Sequence, residues 1–182
     1  MKDEYLDIVG KNDKPTGEKR LRSEAHSTGL LHRSVHVYIF RENNSRIEFL
    51  AHLRAPDVDL YPNCWDSRFG GHLKSGQMWK GAAVVELEEE TGLRTDISEL
   101  LKGPKRISER NPKNREVNQV YYYQFDGDIE SLKLQDDEVI GAKWLEKDKL
   151  ANEIQKNQEG WTTSIGTFLE ISNFLEEALN EE

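Results

Sequence analysis

The sequence predicts an α/β domain built on a central mixed sheet, and two patterns along the chain support this class. Segments rich in β-branched and aromatic residues alternate with polar turns over most of the chain, whereas helical apolar spacing appears near the C-terminus. One helix, Trp79 to Thr91, interrupts the strands. With 182 residues, 36% of them hydrophobic, the chain can form the core of one domain, 1–182, and hardly of two.

The first part of the chain is predicted to form strands and turns. An N-terminal hairpin spans residues 5–22, because two short strand-like segments flank the polar turn Gly10 to Pro15. A second strand pair and a short strand follow: Val35 to Phe40, Ile47 to Leu53, and Cys64 to Phe69. The helix comes next and ends at Gly92-Leu93, the pattern of a left-handed glycine cap.

Sheet is predicted to resume after this helix. Three strand-like segments follow it: Lys105 to Glu109, Val117 to Phe125, and Val139 to Leu145. Two C-terminal helices, 147–156 and 167–179, end the chain, and the second has apolar residues at helical spacing from Phe168 to Leu179. This order of elements favours a mixed sheet with one central helix and helices at the C-terminal end.

Charge and cysteine content exclude several classes of function. The formal net charge is −9 and the isoelectric point is near 5.2, so composition does not suggest the basic patch that binds nucleic acid or an acidic membrane. Cys64 is the only cysteine, which favours a reducing compartment. The N-terminus has no apolar signal segment, and no stretch has the apolar length of a membrane helix. We therefore expect a cytoplasmic protein with a small-molecule partner; the oligomeric state is left open.

Four glutamates crowd the last turns of the predicted helix: Glu86, Glu88, Glu89 and Glu90. Spacings of three and four residues place all but Glu88 on one region of the helix surface. Each like-charge pair costs about 0.2–0.5 kcal/mol, and no basic residue stands three or four positions before the three clustered glutamates. A solvated face is the alternative interpretation. A hard divalent cation such as Mg²⁺ would offset the repulsion, because it takes carboxylate oxygens and bridges to substrate phosphates.

Residues 71–93 resemble the Nudix box, G-x5-E-x7-R-E-U-x-E-E-x-G-U, where U is aliphatic. Seven positions match at the required spacing: Gly71, Glu86, Leu87, Glu89, Glu90, Gly92 and Leu93. A match of this length in a strand, loop and helix context is far more specific than a short glycine motif. The resemblance implies a Nudix-like α/β/α sandwich.

The resemblance also implies the roles of these residues. Glu86 and Glu90 would ligate Mg²⁺, with Mn²⁺ as the alternative ion. Glu89 would assist the metal or act as base, and the backbone of Gly71 would lie near the ion. Two positions depart from the box, since Gln77 replaces a Glu and Val85 replaces an Arg. Because that Arg helps to orient a glutamate in the family, a degenerate domain that binds a diphosphate without hydrolysing it is one rival interpretation.

The rest of the chain is similar to the branch of the family around isopentenyl-diphosphate isomerase. The similar segments include Ala25-His26, Leu31-His32, Tyr61-Pro62, Cys64-Trp65, Gly71-His72, Trp144 and Trp161. In the isomerases a Cys precedes the Gly-His pair, and here that residue is Gly70. Their two strand glutamates match Val117 and Gln119, while Glu116 is one position off and is expected to face the other side of its strand. Hydrolysis is therefore favoured over isomerisation.

Three histidines form a candidate second metal site. His26, His32 and His72 are metal ligands in the isomerase resemblance, and imidazoles suit transition metals. Because both strand glutamates are missing at the matched positions, a complete ligand set is not expected, and a structural role for each histidine is the alternative. His36 and His52 are interpreted as structural.

Three residues are predicted to bind the substrate. Arg22 and Arg54 match basic positions that hold the diphosphate in the isomerase branch, and a guanidinium suits bidentate phosphate contact. Trp161 would cover the pocket, although a core position is the alternative.

The predicted reaction is Mg²⁺-dependent hydrolysis of a diphosphate linkage in a nucleoside diphosphate-type or other organic diphosphate. Glu89 is the first candidate base, and Glu138, in an acidic loop before a strand, is the second. Isomerisation and binding without turnover are the two alternatives.

Overall fold

The computed structural model describes residues 4–58, 60–135 and 137–181. Along these residues the strands and helices are β1 (Tyr5–Val9), β2 (Pro15–Leu21), α1 (Arg22–Thr28), β3 (His32–Asn43), β4 (Arg46–Arg54), β5 (Trp65–Asp66), α2 (Trp79–Thr91), β6 (Leu101–Asn111), β7 (Asn114–Gln124), β8 (Val139–Glu146), α3 (Lys147–Lys156) and α4 (Ile165–Asn180). Within them, no helix is long and apolar enough to cross a membrane.

The main sheet is mixed, as the sequence predicts. Its strands follow the order β5-β4-β3-β7-β6, and β8 pairs with β4. The β3–β7 pair is parallel, while the other pairs of this sheet are antiparallel. β1 and β2 form a separate antiparallel hairpin.

Helices cover both faces of the main sheet. Alternate residues of β3 point to opposite faces, so that Val35, Val37 and Ile39 pack in a core with α2. Tyr38 and Phe40 point the other way and pack in a second core with α3 and α4. The predicted α/β/α sandwich is confirmed.

Several predicted boundaries differ from the observed ones. α2 and α3 have the predicted bounds, but α4 begins at Ile165, two residues early, because the side chain of Ser164 accepts from the backbone N–H of Thr167 and caps the helix. The hairpin ends at Leu21, where the short helix α1 begins; its seven residues are too few to give a clear helical period. β5 has only two residues.

Candidate functional site

The acidic side of α2 faces an open cleft with two parts. The outer mouth has a volume of about 560 Å³, and its wall includes Glu86, Glu89 and Glu90. The inner chamber has a volume of about 150 Å³ and reaches between β3, β4 and β7. The residues that line both parts are Arg54, Leu60, Gly70, Gly71, His72, Glu90 and Glu138. The two parts therefore form one continuous cleft.

The loop before α2 packs directly against the helical carboxylates. The backbone N–H of Gly70 donates to Oε2 of Glu90 at 3.0 Å. At Gly71 an added Cβ would lie 2.5 Å from Oε2 of Glu86, so a larger residue would displace this carboxylate from its position. The structure thus brings together Gly71, Glu86 and Glu90, three of the residues that the box nominates for the metal.

Glu86 and Glu90 hold their protons unusually strongly. Burial, with a smaller contribution from Glu89, raises the pKa of Glu86 to about 7. Burial also raises the pKa of Glu90 to about 8 despite the opposing hydrogen bond from Gly70, and the charges of Glu86 and Glu138 make smaller contributions in the same direction as burial. A cation bound between these carboxylates would favour their ionised forms.

The three clustered glutamates do not converge as tightly as a closed protein cage would require. Among the described residues, one group of three His, Cys, Asp or Glu side chains has its ligand atoms within 4.8 Å of one another, and these glutamates are not that group. Mg²⁺ commonly uses one or two carboxylates and completes its shell with water and substrate phosphate. Glu86 and Glu90 therefore fit Mg²⁺ in an open site.

The two departures from the box have different consequences. The side-chain oxygen Oε1 of Gln77 accepts from the backbone N–H of Lys74 at 2.8 Å, a contact that a carboxylate would also make. Val85 is 37% exposed and provides no charge. Lys74 lines the outer mouth, and its charge partly opposes the rise in the pKa of Glu86. Lys74 is therefore a positive charge near Glu86 in a cleft wall that lacks the arginine of the box.

The three predicted histidines converge on one point. The ring centroids of His26, His32 and His72 are 4.9–5.1 Å apart, and one ligand nitrogen from each lies within 4.8 Å of the others. Nδ1 of His32 is 2.8 Å from the carbonyl oxygen of Leu30, which leaves Nε2 as the free lone pair. None of the three Nε2 atoms makes a hydrogen bond of good geometry with the described residues.

Two of these imidazoles are neutral near pH 7. Burial lowers the pKa of His26 to about 4, and it also lowers the pKa of His32. A metal ion binds the neutral form of an imidazole. Because burial lowers the pKa of these two rings, their nitrogen lone pairs are available to a metal without loss of a proton.

The prediction that Glu116 faces away from this cluster is wrong. Its Oε1 lies 3.1 Å from Nε2 of His72 and 3.9 Å from Nε2 of His32. Although burial acts in the opposite direction, the adjacent imidazole of His72 and the positive charge of Arg68 hold the pKa of Glu116 well below its usual range. The cluster therefore consists of three imidazoles and one ionised carboxylate.

The error came from matching β7 one residue out of register. Val117 packs on the other face of the strand with Val9 and Leu31, and the side-chain amide of Gln119 donates to the carbonyl oxygen of Gly103 at 2.8 Å. Asn118, two residues after Glu116, shares its face and donates to Oε2 of that carboxylate at 3.0 Å. An amide therefore stands where a second carboxylate would have joined the cluster.

Both arginines predicted to hold the diphosphate line the outer mouth. Nε of Arg54 donates to the carbonyl oxygen of Leu60 at 3.1 Å, and Nε of Arg22 is 3.9 Å from Glu4. The structure contradicts the substrate-covering role of Trp161. This residue is 3% exposed, stacks on Trp65 in the core beneath α4, and lines neither part of the cleft.

Sequence reasoning missed the inner end of the chamber. His36 and His52, interpreted as structural, both line it, together with Asp66 and Arg68. Burial lowers the pKa of each of these two histidines to about 4. The alternation of β3 places His36 on the face of Tyr38, but an isolated polar residue carries no signal for a chamber that forms only when distant strands pair.

Comparisons with known proteins identify the family of the chain. A family model described as the NUDIX domain matches residues 30–164. The chain is 32% identical over 163 residues to an uncharacterized Nudix hydrolase of Clostridium acetobutylicum, covering 88% of this chain and 78% of that protein. It is 29% identical over 177 residues to an isopentenyl-diphosphate Delta-isomerase of Pectobacterium atrosepticum, covering 96% and 95%.

Solved structures show the same fold. A crystal structure of a Deinococcus radiodurans protein superposes with a TM-score of 0.65 at 23% identity, over 84% of this chain and 90% of that one. Together with the matched family model and the 32% identical relative, the cleft and its acidic helix assign this chain to the Nudix hydrolase family.

Proposed function

We propose that this protein hydrolyses a diphosphate linkage in a small organic diphosphate, with Mg²⁺ as its cofactor. The observation that carries the proposal is the position of Glu86 and Glu90 on one wall of an open cleft that Arg22 and Arg54 also line. The carboxylates suit the metal, and the guanidinium groups suit the phosphate oxygens. Carboxylates outnumber cationic groups in the mouth, so binding of a charged diphosphate would require Mg²⁺ together with the two guanidinium groups.

The residues of the chain have distinct tasks in this reaction. Glu86 and Glu90 hold the ion, and the N–H of Gly70 keeps the Glu90 carboxylate in place. Bound Mg²⁺ would neutralise phosphate charge and lower the pKa of a water. Glu89 or Glu138, both in the wall of the outer mouth, would accept a proton from the water that attacks phosphorus. The bridging P–O bond would break, and its oxygen would leave with the departing phosphate group. Glu138 also lines the inner chamber.

We further propose that the histidine cluster binds a second metal. His26, His32, His72 and Glu116 offer three nitrogens and one oxygen, a donor set that suits Zn²⁺ or Mn²⁺ better than Mg²⁺. Because His72 lines both parts of the cleft, an ion at this site would lie beside the substrate. In this account it orients the substrate.

Isomerisation is the weaker candidate despite the similar isomerase. Moving a double bond requires groups that give and take protons within hydrogen-bond reach of carbon. Gly70 has no side chain, and with φ of +148° an added Cβ would overlap the carbonyl oxygen of Val35. Asn118 has an amide where a strand carboxylate would act as partner. Neither residue can transfer a proton at neutral pH.

The experiment that tests the proposed function is a screen of organic diphosphates. Nucleoside, sugar and isoprenoid diphosphates are incubated with the protein and Mg²⁺, and released phosphate and organic monophosphate are measured. We expect turnover of at least one class, and its loss in excess EDTA. Tight binding across the panel without product would identify a binding module, and double-bond migration without phosphate release would identify an isomerase.

A further inference from the structure

The inner chamber ends at a half-buried arginine, Arg68, and a buried aspartate, Asp66. The side chain of Asp66 is 5% accessible, and its Oδ2 accepts from Nε of Arg68 at 3.2 Å. Its Oδ1 accepts from the backbone N–H of the same arginine at 3.1 Å. Two hydrogen bonds from one residue therefore fix the position of the guanidinium.

The terminal nitrogens of this guanidinium remain free for a ligand. Only Nε and the backbone nitrogen of Arg68 donate to the described residues, so Nη1 and Nη2 have no protein acceptor there. About 26% of the side chain is accessible. Arg68 lines the inner chamber and also an adjacent pocket formed by β3, β6 and the start of α4. The N–H groups of Nη1 and Nη2 form a planar pair of donors, here called the donor fork. A donor fork held in a fixed position suits a ligand group with two neighbouring oxygen atoms.

Neutral polar groups surround the same end of the chamber. His52 is 3% exposed, and its Nδ1 has no hydrogen-bond partner among the residues that the structure describes. His36 is its neighbour in the chamber wall. Burial lowers the pKa of His52 to about 4, so its imidazole is neutral near pH 7. The apolar side chains of this wall are few: Leu60, Phe69 and Val139. A hydrocarbon group would therefore leave several buried polar atoms without partners, which is costly.

Charge indicates which polar group fits best. Carboxylates of Asp66, Glu116 and Glu138 line the chamber, against the guanidinium groups of Arg54 and Arg68. A second anionic group on the substrate would be repelled by these carboxylates. Neutral oxygen acceptors would not be repelled and would still use the donor fork.

We propose that Arg68 is the specificity-determining residue of the cleft, and that it binds the end of the substrate remote from the diphosphate. This end is a small neutral group with two neighbouring oxygen atoms, such as a vicinal diol. The inference rests on the proposed function in one respect, because the diphosphate must lie in the outer mouth with its Mg²⁺. The chamber volume of about 150 Å³, against about 560 Å³ for the mouth, favours a small group at the inner end.

Two non-hydrolysable probes test this inference by binding alone. Both are monoesters of methylenebisphosphonate, whose P–C–P bridge resists hydrolysis; one carries a butyl group and the other a 3,4-dihydroxybutyl group. Dissociation constants are measured by calorimetry with Mg²⁺. We expect the diol to bind at least about tenfold more tightly to the native protein, the range of a hydrogen bond to a charged group. Equal affinities, tighter binding of the butyl probe, or no binding of either would overturn the proposal.

The variants separate recognition from folding. Removing Arg68 alone would leave Asp66 as an unpaired buried charge, so the informative variant is the double substitution Asp66→Asn, Arg68→Met. It should bind the butyl probe as the native protein does and lose the preference for the diol. Arg68→Lys keeps the charge without the fork and should lose most of the preference. A double variant that retains the preference would contradict the proposal.

Arg41→Met is the matched control. Arg41 has the same accessible fraction, 26%, and its own carboxylate partner, Glu48, but it lies outside the cleft. Its removal should leave the preference unchanged. Hydrolysis of the two corresponding diphosphates is assayed in parallel. If the protein prefers the diol probe but hydrolyses neither diphosphate, the proposed function is rejected and the inference about Arg68 stands. If it hydrolyses the diphosphates but binds both probes equally, the inference about Arg68 is rejected and the proposed function stands.

Discussion

The backbone N–H of Gly70 lies 3.0 Å from Oε2 of Glu90 and joins the loop before α2 to the acidic face of that helix. The left-handed φ of Gly70, +148°, aims this N–H, and an added Cβ would overlap the carbonyl oxygen of Val35. One glycine therefore contributes both to the shape of the cleft and to the position of the Glu90 carboxylate.

Gly70→Ala should destabilise the protein strongly. A strained backbone and an overlap in a packed region each cost about 1–3 kcal/mol. Gly76→Ala is the matched control, because Gly76 also has a positive φ, +83°, but an added Cβ meets nothing within 4 Å. Gly76→Ala should therefore lower the free energy of unfolding only by the backbone strain, without the additional steric overlap. Equal midpoints for both variants in denaturant unfolding would disprove the steric argument.

Affinity for Mg²⁺ should rise with pH across the neutral range. The pKa values of Glu86 and Glu90, about 7 and about 8, mean that both carboxylates must lose protons before they bind the ion. Calorimetric titration at pH 6, 7 and 8 measures this directly. Affinity that does not change with pH would show that other groups hold the metal.

The same two groups should make the metal-free protein less stable as pH rises. Because their folded pKa values are raised above the unfolded value near 4.5, the folded state binds more protons, and this contribution to stability is full below that value. It is lost as pH rises through about 8. In EDTA, the melting temperature of the native protein should fall as pH rises, and it should fall less steeply in the variant Glu86→Gln, Glu90→Gln. Equal slopes for the native protein and the variant would show that the pKa values of these two glutamates are not raised.

Zn²⁺ should bind the histidine cluster with one equivalent per chain. His26→Gln removes a ligand that lines neither part of the cleft, so it should weaken Zn²⁺ binding by at least about tenfold without altering the cleft wall. His52→Gln, which changes a buried histidine outside the cluster, should leave Zn²⁺ affinity unchanged. Identical titrations of the two variants would reject the site.

The protein should not isomerise isopentenyl diphosphate. Gly70 and Asn118 offer no proton donor or base, so deuterium from D₂O should not enter the substrate with Mg²⁺ and Mn²⁺ or Zn²⁺ supplied. The background is set by the variant Glu86→Gln, Glu90→Gln. Incorporation by the native protein above that background would revive the isomerase interpretation.

Local patterns were sufficient to predict the acidic half of the cleft. The spacing of Glu86 and Glu90 and the glycine cap at Gly92 depend only on neighbouring residues, and α2 has the predicted bounds. The face of Glu116 depends instead on strand register, and a shift of one residue exchanges the two faces of a strand. The structure gives this register, because His32 of β3 lies opposite Glu116 of β7 in the parallel pair.

The inner chamber could not be predicted, for a different reason. Asp66 and Arg68 lie in the segment Cys64 to Phe69, which the sequence predicts as a strand, but only Trp65 and Asp66 form strand β5. The burial of Asp66 follows from the pairing of β5 with β4, which brings Asp66 opposite His52. No local property of the sequence signals this pairing.

The turnover numbers of two glutamine variants on one helix test the central claim most directly. Glu90→Gln removes a proposed metal ligand, whereas Glu88→Gln changes a glutamate that points away from the mouth, is 45% accessible and pairs with Arg94. With Mg²⁺ and the best diphosphate substrate, we predict a loss of at least about a hundredfold for Glu90→Gln and little change for Glu88→Gln. Equal turnover by both variants would contradict the account.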